Sequence, residues 1–247
     1  MAERALPAVA WSQLAIQQLL GEGASGMIYR AEFNHAAVAV KVFKGAVTSD
    51  GLPHSEQAAC LLAGTHAGLI PVLGKVGDHP EGKLGLVLSL IPPHYVNLAQ
   101  PPSLASCTRD CYPADMRFSL AMVVRLATRV AEVVAHLHAQ WVMHGDLYGH
   151  NLLWDEQGDC LLGDFGAASR YDTGDLAQAS ALQAIEIRAF ACLLEELLTH
   201  CHEHATALET IAALQALQAR CTAEASRRPT FSEVHQTLVH LQCKPST

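Results

Sequence analysis

The hydrophobic pattern of this 247-residue chain changes its period once, between residues 92 and 113, and this change most limits the possible folds. In residues 14–44, and again in LIPVLGKV and KLGLVLSLI, β-forming residues and glycines alternate as in half-buried strands. Apolar stripes with helical spacing follow in residues 114–140, 185–198, 206–221 and 231–242. The pattern predicts a sheet in the first part and a mainly helical second part.

Two further segments complete this prediction. Residues 53–63 (PHSEQAACLLA) begin with proline and place apolar residues on one helical face, which predicts one helix among the strands. Residues 92–113 are rich in Pro, Ser and Asn and carry no clear period. We therefore expect residues 92–113 to be a linker and surface insertion.

Charge and cysteine content exclude several classes of protein. Sixteen Lys and Arg against twenty-four Asp and Glu give a net charge of −8, which repels nucleic acid and anionic lipid. The eight cysteines show no CxxC pair, which favours reduced thiols over a zinc ribbon or disulfide framework. The early apolar run ALPAVAW is too short to span a bilayer. We expect a cytoplasmic protein without membrane insertion and without a nucleic-acid partner.

A glycine trio and a lysine stand on consecutive predicted strands. GEGASG places Gly21, Gly23 and Gly26 at G-x-G-x-x-G spacing, which allows backbone N–H groups to approach phosphate oxygens. A tight hairpin with a purely structural role is an equally good interpretation of the glycines alone. Lys41 ends the apolar run VAVK, where its ammonium needs an anionic partner such as phosphate or Glu56.

Acids and amides cluster in the segment HGDLYGHNLLWDEQGDCLLGDFG, residues 144–166. Asp146 can orient or accept a hydroxyl proton, and Asn151 and Asp164 offer the oxygen ligands that Mg²⁺ prefers beside phosphate. Each of these residues taken singly is as well explained as a turn cap. Their occurrence together, downstream of the glycines and Lys41, favours phosphate chemistry.

Taken jointly, these motifs resemble those of eukaryotic-type protein kinases from Gly21 to about Phe231. The resemblance implies an α+β, two-lobed fold, with an antiparallel sheet and one helix in the first lobe and a mainly helical second lobe. We expect a single domain over residues 1–247, divided into lobes at 12–91 and 92–247. RRPTFSEV and RAFACLLEELLTH also resemble helical segments of the kinase large lobe.

The resemblance also implies an ATP and Mg²⁺ site. Asp146, as base, would act with Lys41 and Asn151 in catalysis, and Asn151 and Asp164 would bind Mg²⁺. The residues assigned to the nucleotide are Gly21, Gly23 and Gly26 over the phosphates, Lys41 on the α- and β-phosphates with Glu56 as its partner, Ala39 and Leu153 around adenine, Leu88 behind it, and Ser89 to Ile91 along the adenine edge.

The sequence departs from the family pattern around the catalytic Asp and after Asp-Phe-Gly. Gly145 stands where many kinases have an Arg that binds a phosphorylated activation loop, and Tyr148 stands where serine/threonine kinases usually have Lys. No Ala-Pro-Glu follows in the short stretch from Ala167 to Ile185. Glu186 is either the remnant of that motif or a replacement for the Asp that begins the central helix, and Arg228 is left without an obvious partner.

The sequence therefore predicts an ATP-dependent protein kinase that acts on a protein hydroxyl of serine or threonine. Two alternatives stay open. A non-catalytic nucleotide-binding scaffold is favoured by the shortened segment after Asp-Phe-Gly. A small-molecule phosphotransferase of the aminoglycoside or choline type also uses HGD with a downstream Asn and Asp, although the RRPTF tail disfavours it.

Overall fold

A computed structural model describes residues 6–23, 25–45, 51–107, 109–202 and 208–243. Single 3-10 turns lie at Trp11–Gln13, Gly149–Asn151 and Ala225–Arg227. In chain order, the strands and helices of the described residues are β1 (Ala8–Ala10), β2 (Ala15–Glu22), β3 (Gly26–Phe33), β4 (Ala36–Phe43), α1 (Pro53–Ala63), β5 (Val72–Gly77), β6 (Gly85–Ser89), β7 (Val96–Asn97), α2 (Leu120–Ala139), β8 (Val142–Met143), β9 (Leu152–Trp154), β10 (Cys160–Leu162), β11 (Ser169–Arg170), α3 (Leu176–Thr199), α4 (Leu208–Cys221) and α5 (Phe231–Gln242).

The first part of the chain forms a sheet whose described strands have the order β1-β5-β6-β4-β3-β2. Neighbouring strands are antiparallel except β1 and β5, which are parallel. On β4, Val38, Val40 and Val42 enter a buried apolar cluster on one face of the sheet. Because side chains alternate along a strand, Ala39 and Lys41 face the opposite side, toward the second part of the chain. The predicted antiparallel sheet is confirmed.

Helix α1 has the bounds that the sequence predicts. Pro53 stands at its start, where the missing N–H costs no intrahelical hydrogen bond. The buried positions of α1 carry small or acidic side chains, with Glu56 3%, Ala59 1% and Ala63 2% exposed. Small side chains allow this helix to lie close to its neighbours, so that it brings a carboxylate into the interior.

The second part of the chain is mainly helical and contains the larger apolar core. Helix α2 buries a continuous face that includes Val123, Val130 and Leu137, each at most 1% exposed. Phe190 of α3 and Phe231 of α5 meet edge to face, with ring centroids 5.6 Å apart. Within the described ranges, none of the helices combines the length and apolarity that crossing a bilayer requires. The predicted two-lobed α+β fold is confirmed.

Two predicted helix starts are wrong. Helix α2 begins at Leu120 because the Ser119 side chain accepts a hydrogen bond from Met122 N and caps the helix there. Helix α3 begins at Leu176, nine residues before the predicted start, where the Asp175 side chain accepts from Gln178 N. Good helix formers fill the added turns of α3, so the stretch between Asp-Phe-Gly and α3 is shorter than the sequence indicates.

The prediction for residues 92–113 is also wrong in part. Leu98 and Ala99 are 0% and 2% exposed, and Asp110 is 8% exposed. Gln100 N donates to Cys111 O at 2.8 Å, and Cys111 N donates to Gln100 O at 2.9 Å. These two hydrogen bonds bring the two ends of the stretch between them together. The segment therefore packs on the second lobe, although it has no regular period that would show this in the sequence.

Replacement of Phe190 by alanine tests the assignment of this core. Because Phe190 is 0% exposed, we expect Phe190→Ala to lower the free energy of unfolding by about 3–5 kcal/mol. Leu176→Ala is the matched control, since Leu176 lies on the same helix and is 68% exposed. The control should change stability by less than about 0.5 kcal/mol in urea unfolding. Equal effects of the two substitutions would contradict the assignment.

Candidate active site

Lys41 and Glu56 form a buried ion pair that joins β4 to α1. Their side chains are 11% and 3% exposed, and Lys41 Nζ contacts Glu56 Oε1 directly. Burial raises the pKa of Glu56, while the nearby Lys41 opposes this change. Lys41 Nζ also lies 3.9 Å from Asp164 Oδ1, which belongs to the Asp-Phe-Gly segment of the other lobe. The structure thus brings together three charged residues that stand far apart in the sequence.

Asp146 and Asn151 are joined across the single helical turn at residues 149–151. Asn151 Nδ2 donates to the backbone oxygen of Asp146 at 2.9 Å and to its Oδ2 at 2.8 Å. Gly163 N donates to Asn151 O at 2.9 Å, which ties this turn to the strand that precedes Asp164. The five-residue spacing therefore allows the Asn151 side chain to reach back across the turn to Asp146.

Asp164 is held in an uncommon backbone conformation beside a buried ring. Its φ is +44°, and its Oδ1 accepts from Gly166 N at 3.1 Å. Phe165, 8% exposed, packs against His144 with ring centroids 5.1 Å apart. His144 is fully buried and donates from Nε2 to Gly163 O at 2.8 Å. These contacts leave the Asp164 side chain 49% exposed at the edge of the cavity.

The three glycines of the trio differ in their surroundings. A Cβ at Gly26 would lie 2.7 Å from Val42 O, so close strand pairing requires glycine there. Among the described residues, a Cβ at Gly21 or Gly23 would meet nothing within 4 Å. Gly26 therefore has a structural role, whereas the backbone around Gly21 and Gly23 is open to the approach of a ligand.

A cavity of about 170 Å³, open to solvent, lies beside Gly23 and Gly26. It extends behind Lys41 to Cys60 of α1 and to Leu69. Its wall includes six predicted site residues, Gly23, Gly26, Lys41, Glu56, Leu88 and Asp164. Among the described residues, the other predicted ones, Gly21, Ala39, Ser89, Ile91, Asp146, Asn151 and Leu153, do not line this cavity.

The predicted adenine-contacting residues come from two sheets and from the chain just after β6. Ala39 of β4 is the direct neighbour of Leu88 of β6 in the sheet. Ser89 follows Leu88, and its backbone N–H donates to Pro71 O at 2.9 Å. Ile91 comes just after β6, and Leu153 lies in β9, which pairs with β7 and β10. Leu88, Ser89, Ile91 and Leu153 are each partly exposed, so apolar surface remains accessible there.

The donor atoms fit a Mg²⁺ ion that shares its ligands with phosphate. Because the amide nitrogen of Asn151 donates to Asp146, its amide oxygen is the atom that can face a cation. Asp164 adds a half-exposed carboxylate. In the described part of the chain, His, Cys, Asp and Glu form no group of three or more that could hold a metal alone. Mg²⁺ typically takes its remaining ligands from phosphates and water, so two protein oxygens suffice.

Gly145 is in contact with the segment that follows Asp-Phe-Gly. Its φ is +82°, and a Cβ there would lie 2.5 Å from Ala167 O. Its N–H donates to Glu186 Oε1 at 2.8 Å, and Glu186 Oε2 lies 2.7 Å from His138 Nε2. Glu186 therefore anchors the backbone beside Asp146 from within α3. An arginine at position 145 would displace the Ala167 backbone.

Asn97, Asp110 and His150 lie near the site and were not singled out in the sequence, because their partners are distant in the chain. Asp110 accepts from His150, and the hydrogen bond to Asp110 raises the pKa of His150. Asn97 donates to His150 O at 2.8 Å. Arg228, for which the sequence showed no partner, donates to Ala184 O at 2.6 Å and to Ala223 O at 2.9 Å.

Known proteins similar to this chain include several serine/threonine kinases. The kinase PITSLRE of Drosophila melanogaster is 27% identical over 177 residues, 70% of this chain and 18% of that protein. The kinase mos of Gallus gallus is 28% identical over 177 residues, 66% of this chain and 50% of that protein. Cyclin-dependent kinase 11B of Homo sapiens is 26% identical over 192 residues, 76% of this chain and 22% of that protein. The chain thus spans half or less of the length of these relatives.

A sequence profile described as protein tyrosine and serine/threonine kinase matches residues 14–200, about three quarters of the chain. The matched span contains the glycine trio, the Lys41–Glu56 pair, the turn that joins Asp146 to Asn151, and the Asp-Phe-Gly segment. The motifs, their arrangement in the fold and this match agree. The chain belongs to the protein tyrosine and serine/threonine kinase family.

Proposed function

We propose that this chain is an ATP-dependent protein kinase that transfers the γ-phosphoryl group of ATP to a serine or threonine hydroxyl of a protein. The observation that carries the proposal is the pairing of Lys41 with Glu56 and its approach to Asp164, 3.9 Å away. The closeness of a cation and a carboxylate in one cleft supports the proposal, because phosphoryl transfer uses both a positive charge and a metal-binding oxygen beside the phosphates. The named serine/threonine relatives favour a serine or threonine acceptor over tyrosine.

We assign the nucleotide-binding residues from the resemblance to the kinase family. The backbone around Gly21 and Gly23 approaches the phosphates, and Gly26 keeps β3 close to β4. Lys41 binds the α- and β-phosphates, and Glu56 holds Lys41 in place. The residues that we assign to the adenine are Ala39, Leu88 and Leu153 on its faces and rear, and Ser89 and Ile91 along its edge.

Asp146 acts on the acceptor hydroxyl. Its carboxylate, 39% exposed and oriented by Asn151 Nδ2, aligns the hydroxyl and accepts its proton as the new oxygen–phosphorus bond forms and the bond from the γ-phosphorus to the departing ADP breaks. Asn151 and Asp164 would hold Mg²⁺, which would supply positive charge beside the phosphoryl oxygens. Lys41 contributes a further positive charge there, and Glu56 and Asp164 orient it before the reaction.

We further propose that residues 12–91 and 92–247 form the two lobes of one kinase domain that works in the cytoplasm. All eight cysteines lie in the described part of the chain, and each is unpaired, which fits a reducing compartment. The net charge of −8 disfavours a nucleic-acid partner.

A non-catalytic scaffold is the second candidate function, since only residues 167–175 separate Asp-Phe-Gly from α3.

Incubation with γ-labelled ATP and Mg²⁺, followed by mapping of the labelled atom, tests the proposal. We expect label on serine or threonine of a protein acceptor. Asp146→Asn should slow transfer by about a hundredfold or more with nearly unchanged ATP affinity, because Asp146 acts on the acceptor. Label on a small molecule would indicate the other phosphotransferase class, and ATP binding without transfer would indicate a scaffold.

Asp164→Asn tests the metal assignment separately. The substitution keeps the side-chain volume but removes the charge that attracts Mg²⁺, so transfer should fall by at least about a hundredfold. The midpoint for Mg²⁺ activation should also rise, whereas a melting temperature close to that of the wild type would show an intact fold. Wild-type rates at low Mg²⁺ would be inconsistent with Asp164 as a ligand.

Transfer should be largely independent of phosphorylation after Asp-Phe-Gly, because Gly145 offers no charge to bind a phosphate there. Of the hydroxyl residues in this region, Tyr171 is 4% exposed and donates to His138 O at 3.2 Å, so it is inaccessible. Phosphatase-treated protein, and a variant with Ser169, Thr173 and Ser180 changed to alanine, should keep rates within about tenfold of the wild type. A rate restored only by phosphorylation would refute this.

A further inference from the structure

Three polar groups of His150 form contacts with the segment that follows β6. Its backbone oxygen accepts from Asn97 Nδ2 at 2.8 Å. Its backbone N–H donates to Asp110 Oδ2 at 2.9 Å, and its Nδ1 lies 2.8 Å from Asp110 Oδ1. Both oxygens of one carboxylate are therefore used on a single residue of the loop between Asp146 and Asn151.

The Asp110 carboxylate is fully buried, with a side-chain exposure of 0%. A buried carboxylate is costly unless hydrogen-bond donors satisfy it, and here both donors belong to His150. Because a carboxylate only accepts, Nδ1 of His150 carries the hydrogen. This orients the ring so that Nε2 faces Asp146 Oδ2 at 3.9 Å.

The segment that carries Asp110 is itself anchored on the central helix α3. Tyr112 Oη donates to Glu196 Oε2 at 3.2 Å, and Arg109 Nη1 lies 3.2 Å from Glu196 Oε1. The same segment lies against the loop backbone, since a Cβ at Gly149 would lie 2.6 Å from Tyr112 Oη and 3.2 Å from Asp110 Oδ2. A series of direct contacts therefore runs from α3 through Asp110 and His150 toward Asp146.

We propose that Asp110 is a positioning residue that acts through His150 to hold the turn in which Asp146 faces the acceptor hydroxyl. This inference rests on the proposed kinase function. Since Asn151 follows His150 directly and donates to the Asp146 side chain, a shift of His150 moves the group that orients the base. The nucleotide-binding residues Lys41 and Glu56 lie outside this series of contacts.

Asp110→Asn is the direct test, because it keeps the volume and replaces one acceptor oxygen by an NH₂ group that faces a donor of His150. We expect kcat to fall at least about tenfold while KM for ATP stays within about twofold, since ATP contacts are unchanged. Asp155→Asn is the matched control. Asp155 is 6% exposed and accepts from Gln157 N and Asp159 N in the turn between β9 and β10, so its loss should lower stability but not kcat.

A double-mutant cycle separates action through His150 from a general loss of structure. Asp110→Asn should lower kcat by a smaller factor in a His150→Ala background than in the wild type, because the Nδ1 contact is already absent and only the backbone N–H contact to Asp110 remains. Hydrogen exchange at the His150 amide should accelerate in Asp110→Asn and not in Asp155→Asn. Additive effects on kcat, or an unchanged His150 amide, would overturn the proposal.

The outcomes also distinguish this inference from the kinase proposal. If the wild type transfers phosphate and the Asp110→Asn variant does so at the same rate, the proposed role of Asp110 is overturned and the kinase proposal stands. The absence of transfer by wild-type protein with every acceptor would overturn both proposals. If Asp110→Asn fails to fold, His150→Ala decides, since the His150 side chain is 19% exposed and its removal should lower kcat without a change in KM for ATP.

Discussion

The ammonium group of Lys41 lies on a buried strand, and the arrangement of the candidate site depends on how this charge is paired. An unpaired ammonium at 11% exposure would be strongly unfavourable, so a carboxylate has to reach it. Glu56 reaches it because α1 packs through small residues such as Ala59 and Ala63. Asp164 reaches it from the second lobe. One desolvated charge thus fixes the position of α1 and relates the Asp-Phe-Gly segment to the sheet.

A second constraint acts around the loop that carries Asp146. Glu186 of α3 accepts from Gly145 N, and Ala167 occupies the space where a side chain at position 145 would project. The loop is therefore held by a carboxylate of the central helix rather than by an arginine and a phosphate. This fits the early start of α3 at Leu176, which leaves little chain between Asp-Phe-Gly and the helix that would need ordering. The short segment after Asp-Phe-Gly and Gly145 therefore depend on each other, because the backbone of Ala167 lies where a side chain at position 145 would be.

The errors of sequence interpretation share a cause. Residues 92–113 have no period, yet Leu98 is fully buried and Asp110 accepts a hydrogen bond from the backbone N–H of His150. A period reports one regular face, and an irregular segment can bury single residues without producing one. The sequence does not show the start of α3 because the first turns carry an exposed apolar residue, Leu176, 68% exposed, which blurs the apolar stripe. Propensity and the Asp175 cap, rather than burial, begin this helix.

The sequence by itself determined that a sheet with one helix precedes a mainly helical part, the bounds of α1 and α5, and the set of residues typical of phosphate chemistry. These features depend on local spacing, such as the five residues between Asp146 and Asn151, and local spacing is visible in a sequence. Only the tertiary structure decided that Glu186 binds Gly145, that Arg228 binds Ala184 O, and that Asp110 holds His150. Each of these contacts joins residues about 40 positions apart, and their approach depends on how whole elements pack against one another rather than on any local pattern.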